Sequence, residues 1–167
     1  MTALEPFESV CLGEECSSRL CKQMKRELGF FSFLSEGDLG DVSAFFNCRT
    51  VKARTNLWNA GDSCDYIAFI ISGRVQIKVD TEFPGKQVVV GVFSRGSVIG
   101  SSCAVDTAPR YTTATAMEDS GLILLTHDNF NGLLEDYHPI ATKLLKGMLL
   151  SESSRLQKAY MRLASIF

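Results

Sequence analysis

The chain has 167 residues and a mass of 18.4 kDa, with 46% hydrophobic and 22% charged residues, so it suits one globular domain with a buried core. Its 17 Lys and Arg against 19 Asp and Glu leave a formal net charge of −2, which disfavours a basic nucleic-acid-binding protein. The apolar runs are far shorter than the roughly 20 residues of a membrane-spanning helix, so we expect no membrane partner.

The N-terminal segment, residues 1–47, is predicted to be helical. It begins with an acidic stretch that lacks the positive start and apolar core of a secretory signal, which predicts a cytoplasmic protein. Leu20, Met24 and Leu28 recur on one face of a first helix, at i, i+4 and i+8. A second, short helix is expected to begin near Ser35.

Residues 48–128 have a different texture, with short apolar stretches separated by Gly, Asp and Asn. This pattern is typical of many short strands. Clear strand candidates are residues 66–71, the alternating residues 75–79, and residues 87–93. Strands of this length and spacing predict an antiparallel roll or barrel.

Residues 129–167 return to a helical period. Phe130 and Leu133 predict a short helix that ends near Tyr137, and a longer helix is expected from about Ile140 toward the C-terminus. We expect the three segments of the chain to pack as one domain.

The longer helix carries an apolar row that we call the leucine stripe, formed by Leu149, Leu156 and Leu163. These residues recur every seven positions, as in a coiled-coil seam. The stripe either covers the β-roll alone or also pairs two chains, and we expect a homodimer. Glu152 interrupts the neighbouring row and would either set the register or reach the mouth of a pocket together with Arg155.

Common catalytic motifs are missing from the sequence, which has no GxxxxGK[ST] phosphate loop, no HExxH pair and no GxSxG elbow. A metal-dependent oxygenase on a β-roll needs two histidines and a carboxylate inside the barrel. The only two histidines, His127 and His138, both follow the predicted strands. We therefore expect a protein that is not an enzyme and has no obligatory cofactor.

Residues 93–116, which we call the glycine–arginine segment, combine the features of a phosphate pocket. Gly100 can adopt backbone angles that let amide groups converge on an anion. Arg110 can give a planar, bidentate contact to a phosphate, and Ser101 and Ser102 add short donors. The segment therefore predicts a pocket for one phosphate group within the roll.

Several separated motifs follow one another in residues 31–116. They are Phe33-Leu34 with Leu39, residues 57–77 with turns at Gly61 and Gly73, Gly85-Lys86, and the end of the glycine–arginine segment at Pro109-Arg110. In this order they resemble the cyclic nucleotide-binding domain of the catabolite activator and fumarate–nitrate regulator superfamily, which also occurs in cAMP-dependent kinase regulatory subunits and cyclic nucleotide-gated channels. The resemblance implies an α+β, mainly β, fold: an eight-stranded antiparallel β-roll, or jelly roll, flanked by N-terminal helices and a long C-terminal helix.

The resemblance also implies a signal-sensing function, in which cAMP or cGMP binds within the roll and the C-terminal helix closes over the base and transmits the signal. It implies that Arg110 takes the exocyclic phosphate oxygens. The other residues implied to line the site are Ile99, Gly100, Ser101, Ser102, Tyr111, one of Thr112 and Thr113, and the valines Val89, Val90 and Val92.

Two positions depart from the family pattern. Members that bind ligand usually carry a glutamate that accepts from the ribose 2′-hydroxyl nine residues before the arginine, and Ser101 stands there. Tyr111 follows the arginine, where Ser or Ala is common. Loss of a charge-assisted bond predicts binding weaker by about ten- to a hundredfold. The alternative is a degenerate site without nucleotide, in which Arg110 forms an ordinary salt bridge to Asp106 or Asp65.

The cysteines support a second hypothesis, redox or metal sensing. Cys11, Cys16 and Cys21 precede the roll as iron–sulfur cysteines do in the fumarate–nitrate branch, but residues five apart lie about 140° apart around a helix. We therefore expect no metal site. All six cysteines, which also include Cys48, Cys64 and Cys103, are expected to be reduced thiols.

Transcription factors of this superfamily continue past the long helix into a helix-turn-helix domain. The sequence stops at Phe167, still within that helix, so we expect no direct DNA binding by this chain. The expected partners are a cyclic nucleotide and a second copy of the chain.

Overall fold

The first described element is a short helix. The computed structural model describes residue 31 and residues 33–165, so the predicted first helix at residues 20–28 and the N-terminal cysteines lie outside it. Helix α1 (Glu36–Val42) begins where predicted: Ser35 Oγ accepts from the Asp38 amide at 3.0 Å, and Asp38 Oδ2 accepts from the Ser35 amide at 2.7 Å. This reciprocal capping box satisfies two amides at the helix start.

Eight antiparallel strands form two four-stranded sheets, which confirms the predicted roll. One sheet has the order β1-β8-β3-β6 and the other β2-β7-β4-β5. Short 3₁₀ helices span Ser43–Phe45 and Ser101–Ala104. The strands are β1 (Phe46–Val51), β2 (Asn56–Trp58), β3 (Tyr66–Ser72), β4 (Arg74–Asp80), β5 (Gln87–Ser94), β6 (Val98–Ile99), β7 (Thr113–Ala116) and β8 (Ser120–Thr126).

Strand β3 lies at the centre of the core and is buried on both faces. Ala68 and Ile70 pack into the cluster between the two sheets. Ile67 and Phe69 pack into a second cluster that the helices cover. Side chains alternate across a strand, so this continuous apolar run supplies both clusters.

Two helices complete the fold. Helix α2 (His127–Asp136) is capped by Thr126, whose Oγ1 accepts from the Asn129 amide at 3.2 Å. Helix α3 (His138–Ala164) has 27 residues, all its buried ones within its first half. Both helices confirm the predicted order. Lys143 of α3 donates to Asp38 of α1 at 2.5 Å, and this contact lowers the pKa of the Asp38 carboxyl.

The leucine stripe does not cover the roll. The exposed fractions of Leu149, Leu156 and Leu163 are 71%, 52% and 56%. Other residues of α3, among them Leu144 and Met148, pack onto the core instead. The covering role considered for the stripe is therefore wrong, and pairing of two chains stays a prediction.

One pair of cysteines corrects the prediction of free thiols. Cys64, in the loop between β2 and β3, forms a disulfide with Cys103 in the second 3₁₀ helix, with a Cα–Cα distance of 5.3 Å. The two residues are 39 positions apart, and only the folded roll brings them together. Cys48 remains a thiol, as predicted.

Candidate functional site

A cavity of about 640 Å³ lies within the roll, with walls from β2, β4, β5, β6, α3 and the glycine–arginine segment. This volume is within the range of small-molecule sites. Eight of the residues predicted to form the site line it: Val90, Ile99, Gly100, Ser101, Ser102, Arg110, Tyr111 and Thr112. The structure brings them together, and their role as ligand contacts stays a prediction.

Arg110 is the buried cation of this cavity, with an exposed fraction of 5%. Its Nη2 donates to the Tyr66 carbonyl at 2.6 Å, and its guanidinium carbon lies 4.1 Å from the Trp58 ring centroid. Among the described residues, no ion pair joins the guanidinium to either carboxylate considered as a partner: Nε and Nη1 have no hydrogen-bond partner, while Asp65 accepts from Ser63 Oγ and Asp106 from the Ala108 amide. The salt-bridge interpretation of Arg110 is therefore wrong.

Two nitrogens of the same guanidinium, Nε and Nη1, are buried without a hydrogen-bond partner among the described residues. Burial lowers the pKa of Arg110 because a water-poor site disfavours charge, but an arginine keeps its proton in proteins. A buried positive charge with two unsatisfied donors calls for an anionic acceptor. A phosphate has the matching charge and oxygen geometry.

Gly100 allows the backbone to lie directly against this arginine. Its φ is +71°, a left-handed conformation that side-chain-bearing residues rarely adopt. A Cβ built there would lie 2.4 Å from Arg110 Nη1. Both the turn into the 3₁₀ helix and the space beside the guanidinium therefore require glycine.

Ser101, Glu152 and Arg155 form a polar group at the α3 side of the cavity. Ser101 Oγ donates to Glu152 Oε1 at 2.6 Å, and Arg155 Nη1 donates to the same oxygen at 2.8 Å. The Arg155 guanidinium lies over the Phe93 ring, with its carbon 4.6 Å from the centroid. Of the two roles considered for Glu152, the structure therefore supports the one at the pocket.

Thr112, rather than Thr113, lines the cavity. Thr112 Oγ1 accepts a hydrogen bond from Trp58 Nε1 at 3.4 Å. Thr113 Oγ1 instead accepts from the amide of Ala60 at 3.1 Å. Thr112 lies in the bend that precedes β7, and Thr113 is the first residue of that strand.

Only one of the three predicted valines, Val90, lines the cavity. Val89 and Val92 are about half exposed on β5 and are not part of the wall, so their predicted role is wrong. A register shift between Ile77 and Lys78 interrupts the pairing of β4 with β5 here, and a regular alternation does not anticipate such a shift.

Two aromatic residues of the cavity wall, Trp58 and Phe93, were not predicted from the sequence, and each lies under one guanidinium. Trp58 is the only tryptophan of the chain, and arginine pairs with tryptophan more favourably than with other aromatic rings. The presence of a single tryptophan was therefore the feature of the sequence from which the role of Trp58 beside an arginine could have been predicted. The other unassigned lining residues are Ile77, Ala104, Val105, Leu145, Met148 and Leu149.

Neither a metal site nor a membrane span is found in the described part of the chain. No group of three or more His, Cys, Asp or Glu side chains there could hold a metal ion. None of the helices described combines the length and apolar character needed to cross a membrane. The proposed ligands Cys11, Cys16 and Cys21 lie outside the described residues.

Comparison with known proteins places this site in a family context. The family model for the cyclic nucleotide-binding domain matches residues 48–137. Human patatin-like phospholipase domain-containing protein 6 is 30% identical over 95 residues, which are 57% of this chain and 7% of that protein.

Two solved structures share the fold. A cyclic nucleotide-binding domain from Methylobacillus flagellatus superposes with a TM-score of 0.81 at 17% identity, over 98% of this chain and 97% of that one. The catabolite activator protein of Thermus thermophilus gives a TM-score of 0.67 at 21% identity, over 82% of this chain and 62% of that one. At these identities the likeness establishes the fold alone.

Proposed function

The chain belongs to the cyclic nucleotide-binding domain family, and from this premise we propose that it is a non-catalytic sensor that binds cAMP or cGMP beside Arg110. The observation that carries the proposal is the pair of buried, unpartnered nitrogens of that side chain, Nε and Nη1. A cyclic phosphate offers two exocyclic oxygens to them, in the bidentate arrangement that arginine favours.

The charges around the cavity support a ligand with one negative charge. Its charged lining residues are Arg110, Arg155 and Glu152, so two arginines against one glutamate leave one net positive charge. A cyclic mononucleotide carries a single phosphodiester charge and balances it. A cyclic dinucleotide carries two such charges, so it would leave one unmatched in a partly buried site.

Helix α3 is the proposed route by which the bound state is transmitted. Leu145, Met148 and Leu149 of α3 line the cavity, so the base of a bound nucleotide would rest against them. Leu149 is also the first residue of the leucine stripe. We therefore propose that ligand binding and pairing of two chains share this helix.

The proposed sensor is regulatory and acts in the cytoplasm. The cavity lining includes no histidine or cysteine to act as a base or nucleophile. The phospholipase-named relatives match over only 7% of their length, so their activity is not carried over to this chain. The net charge of −2 supports a role without direct DNA contact.

Calorimetric titration with cAMP, cGMP and a cyclic dinucleotide tests the proposal. We expect one cyclic mononucleotide to bind per chain, and Arg110→Ala to weaken binding by at least about 2 kcal/mol, roughly thirtyfold, because the phosphate loses its charged partner. Arg110→Lys keeps the positive charge but loses the bidentate geometry of the guanidinium, so its affinity is expected to lie between those of the wild type and Arg110→Ala. Arg95→Ala is the matched control, since Arg95 is exposed and does not line the cavity.

The result that would contradict the proposal is the absence of both heat and thermal shift with cAMP and cGMP at millimolar concentration. The site would then be degenerate and the chain a scaffold. Binding that is unchanged in Arg110→Ala would place the phosphate elsewhere.

A further inference from the structure

We infer that Glu152 of α3 selects ribose over deoxyribose, by accepting a hydrogen bond from the 2′-hydroxyl of the bound cyclic nucleotide. The inference rests on the proposed function and adds to it the residue that bonds to the sugar and a polar contact between the ligand and α3. Neither the phosphate contact of Arg110 nor the charge balance of the cavity requires it.

The position of the carboxylate is the first step. Gly100 lies against Arg110 Nη1, where an added Cβ would come within 2.4 Å, so Ser101, the next residue, adjoins the phosphate end of the cavity. Glu152 Oε1 lies 2.6 Å from Ser101 Oγ. The Glu152 carboxylate therefore stands beside the place where the phosphate would bind, although it belongs to a different element.

The chemistry of that position is the second step. An ionised carboxylate only accepts hydrogen bonds, and it repels a phosphate oxygen, so the ligand group that meets it must be a donor. In a 3′,5′-cyclic nucleotide the 2′-hydroxyl is the sugar's one hydroxyl donor, on the carbon adjacent to the phosphate ring. A hydroxyl bonded to a carboxylate gives a short, charge-assisted hydrogen bond.

The hydrogen bonds that Glu152 already makes leave room for this contact. Its Oε1 accepts from both Ser101 and Arg155, whereas Oε2 accepts no hydrogen bond from the described residues. The Glu152 side chain is 43% exposed, so a ligand can reach it. One oxygen thus orients the carboxylate and the other can receive the hydroxyl.

Arg155 is the positioning residue for this acceptor. Its Nη1 holds Glu152 Oε1 at 2.8 Å while its guanidinium rests on Phe93. The ion pair also offsets the negative charge of Glu152, which reduces the repulsion between that carboxylate and a bound phosphodiester. The carboxylate can therefore remain charged beside an anionic ligand.

Because Glu152 belongs to α3, the proposed sugar contact would also bond the ligand to that helix. A ribonucleotide would be bonded at once to Arg110 in the roll and to Glu152 in the helix. A 2′-deoxy analogue would occupy the phosphate site without that bond to α3. The 2′-hydroxyl therefore joins ligand recognition to the helix.

Calorimetric titration of the full chain with cAMP, cGMP and their 2′-deoxy analogues tests the inference. Removing the hydroxyl is expected to weaken binding to the wild type by about tenfold or more. In Glu152→Ala this preference is expected to vanish. Glu152→Gln, which keeps a neutral acceptor, should retain a preference of about threefold. Glu135→Gln, an exposed glutamate of α2 outside the cavity, should match the wild type.

The outcomes separate this inference from the proposed function. If cAMP or cGMP binds but the wild type binds the deoxy form equally well, the sugar contact is overturned and the proposed function stands. Full ribose preference in a folded Glu152→Ala protein would assign the contact to another residue and overturn it too. If neither nucleotide binds, both the proposed function and this inference fail.

Discussion

The backbone of Gly100 lies directly against Arg110 in the candidate site. The guanidinium is held between the Trp58 ring, the Tyr66 carbonyl and the Gly100 backbone. A Cβ on Gly100 would displace the guanidinium from these contacts, since it would lie 2.4 Å from Nη1. The orientation of the phosphate-binding nitrogens of Arg110 therefore depends on position 100 being a glycine, which has no side chain.

We predict that Gly100→Ala greatly reduces nucleotide binding, by about tenfold or more, because the new methyl group collides with Arg110 Nη1 and turns the donors away. The left-handed backbone adds a strain of roughly 1–2 kcal/mol to the folded state. Urea unfolding and calorimetry measure the two effects separately.

Gly85→Ala is the control for that experiment. Gly85 has a similar φ of +75°, and no atom beyond its two chain neighbours lies within 4 Å of the place that a Cβ would occupy there. It should show the loss of stability without the loss of binding. Equal binding by the two variants would mean that the contact with Arg110 Nη1 does not orient the guanidinium.

The disulfide joins the two loop regions that hold the cavity's arginine in place. Cys64 belongs to the β2–β3 loop, and Cys103 follows the serines of the second 3₁₀ helix. The same loop is bonded to Arg110 itself: the Arg110 amide donates to the Asp62 carbonyl at 2.8 Å, and the Arg110 carbonyl accepts from the Gly61 amide at 2.7 Å. Covalent and hydrogen bonds thus fix the same pair of segments.

Reduction of this disulfide, or the double change Cys64→Ser with Cys103→Ser, is predicted to lower the free energy of unfolding by about 2–4 kcal/mol, since a closed loop of this length restricts the unfolded chain. Urea unfolding with and without a dithiol reductant measures it. Cys48→Ser, which leaves the disulfide intact, should respond to the reductant as the wild type does. An unfolding midpoint that does not move on reduction would contradict the prediction.

Local patterns in the sequence predicted the helices and strands well, but they did not predict the contacts between these elements. Ser35 and Asp38 made the start of α1 predictable, because a capping box is formed by residues close together in the sequence. The apolar run of β3 predicted a strand. That both faces of this strand are buried could not be predicted, because one face is covered by the second sheet and the other by the helices. The Cys64–Cys103 bond was not predictable, because nothing in the sequence places those residues side by side.

The candidate site shows the same limit. Arg110 was predictable from the motif that precedes it, since the spacing from Gly100 is local. The partners of its guanidinium, Trp58 and Tyr66, come from other strands. Glu152 was noted for its place beside the leucine stripe, whereas its bond to Ser101, 51 positions away, depends on how α3 lies across the roll.

Among the described residues, two exposed apolar surfaces suit a second copy. The leucine stripe runs along α3, and β5 stands at the edge of its sheet with Val88 and Val92 about half exposed. Exposed apolar area costs roughly 25 cal/mol per Å², and an uncovered edge strand invites pairing. The heptad spacing of the stripe favours its pairing with an identical helix.

Sedimentation of the wild type and of Leu156→Glu tests the dimer. We expect a dimer at micromolar concentration and a monomer for the variant, because a charge at the centre of the stripe must be buried without a partner. Leu150→Glu changes an equally exposed leucine outside the stripe and should remain dimeric. A wild type that stays monomeric at high micromolar concentration would rule the dimer out, and a dimeric Leu156→Glu would place the interface elsewhere.

The length of α3 makes it a lever arm. Its buried residues end at Met148, which places the pivot there, and at 1.5 Å per residue Glu152 lies about 6 Å and Ala164 about 24 Å beyond it along the axis. A sideways movement of about 1 Å at Glu152 would therefore become about 4 Å at the far end. That travel is short of the roughly 5.4 Å of one helical turn. A ligand held at Glu152 would thus change the crossing angle of two paired helices while every heptad kept its place.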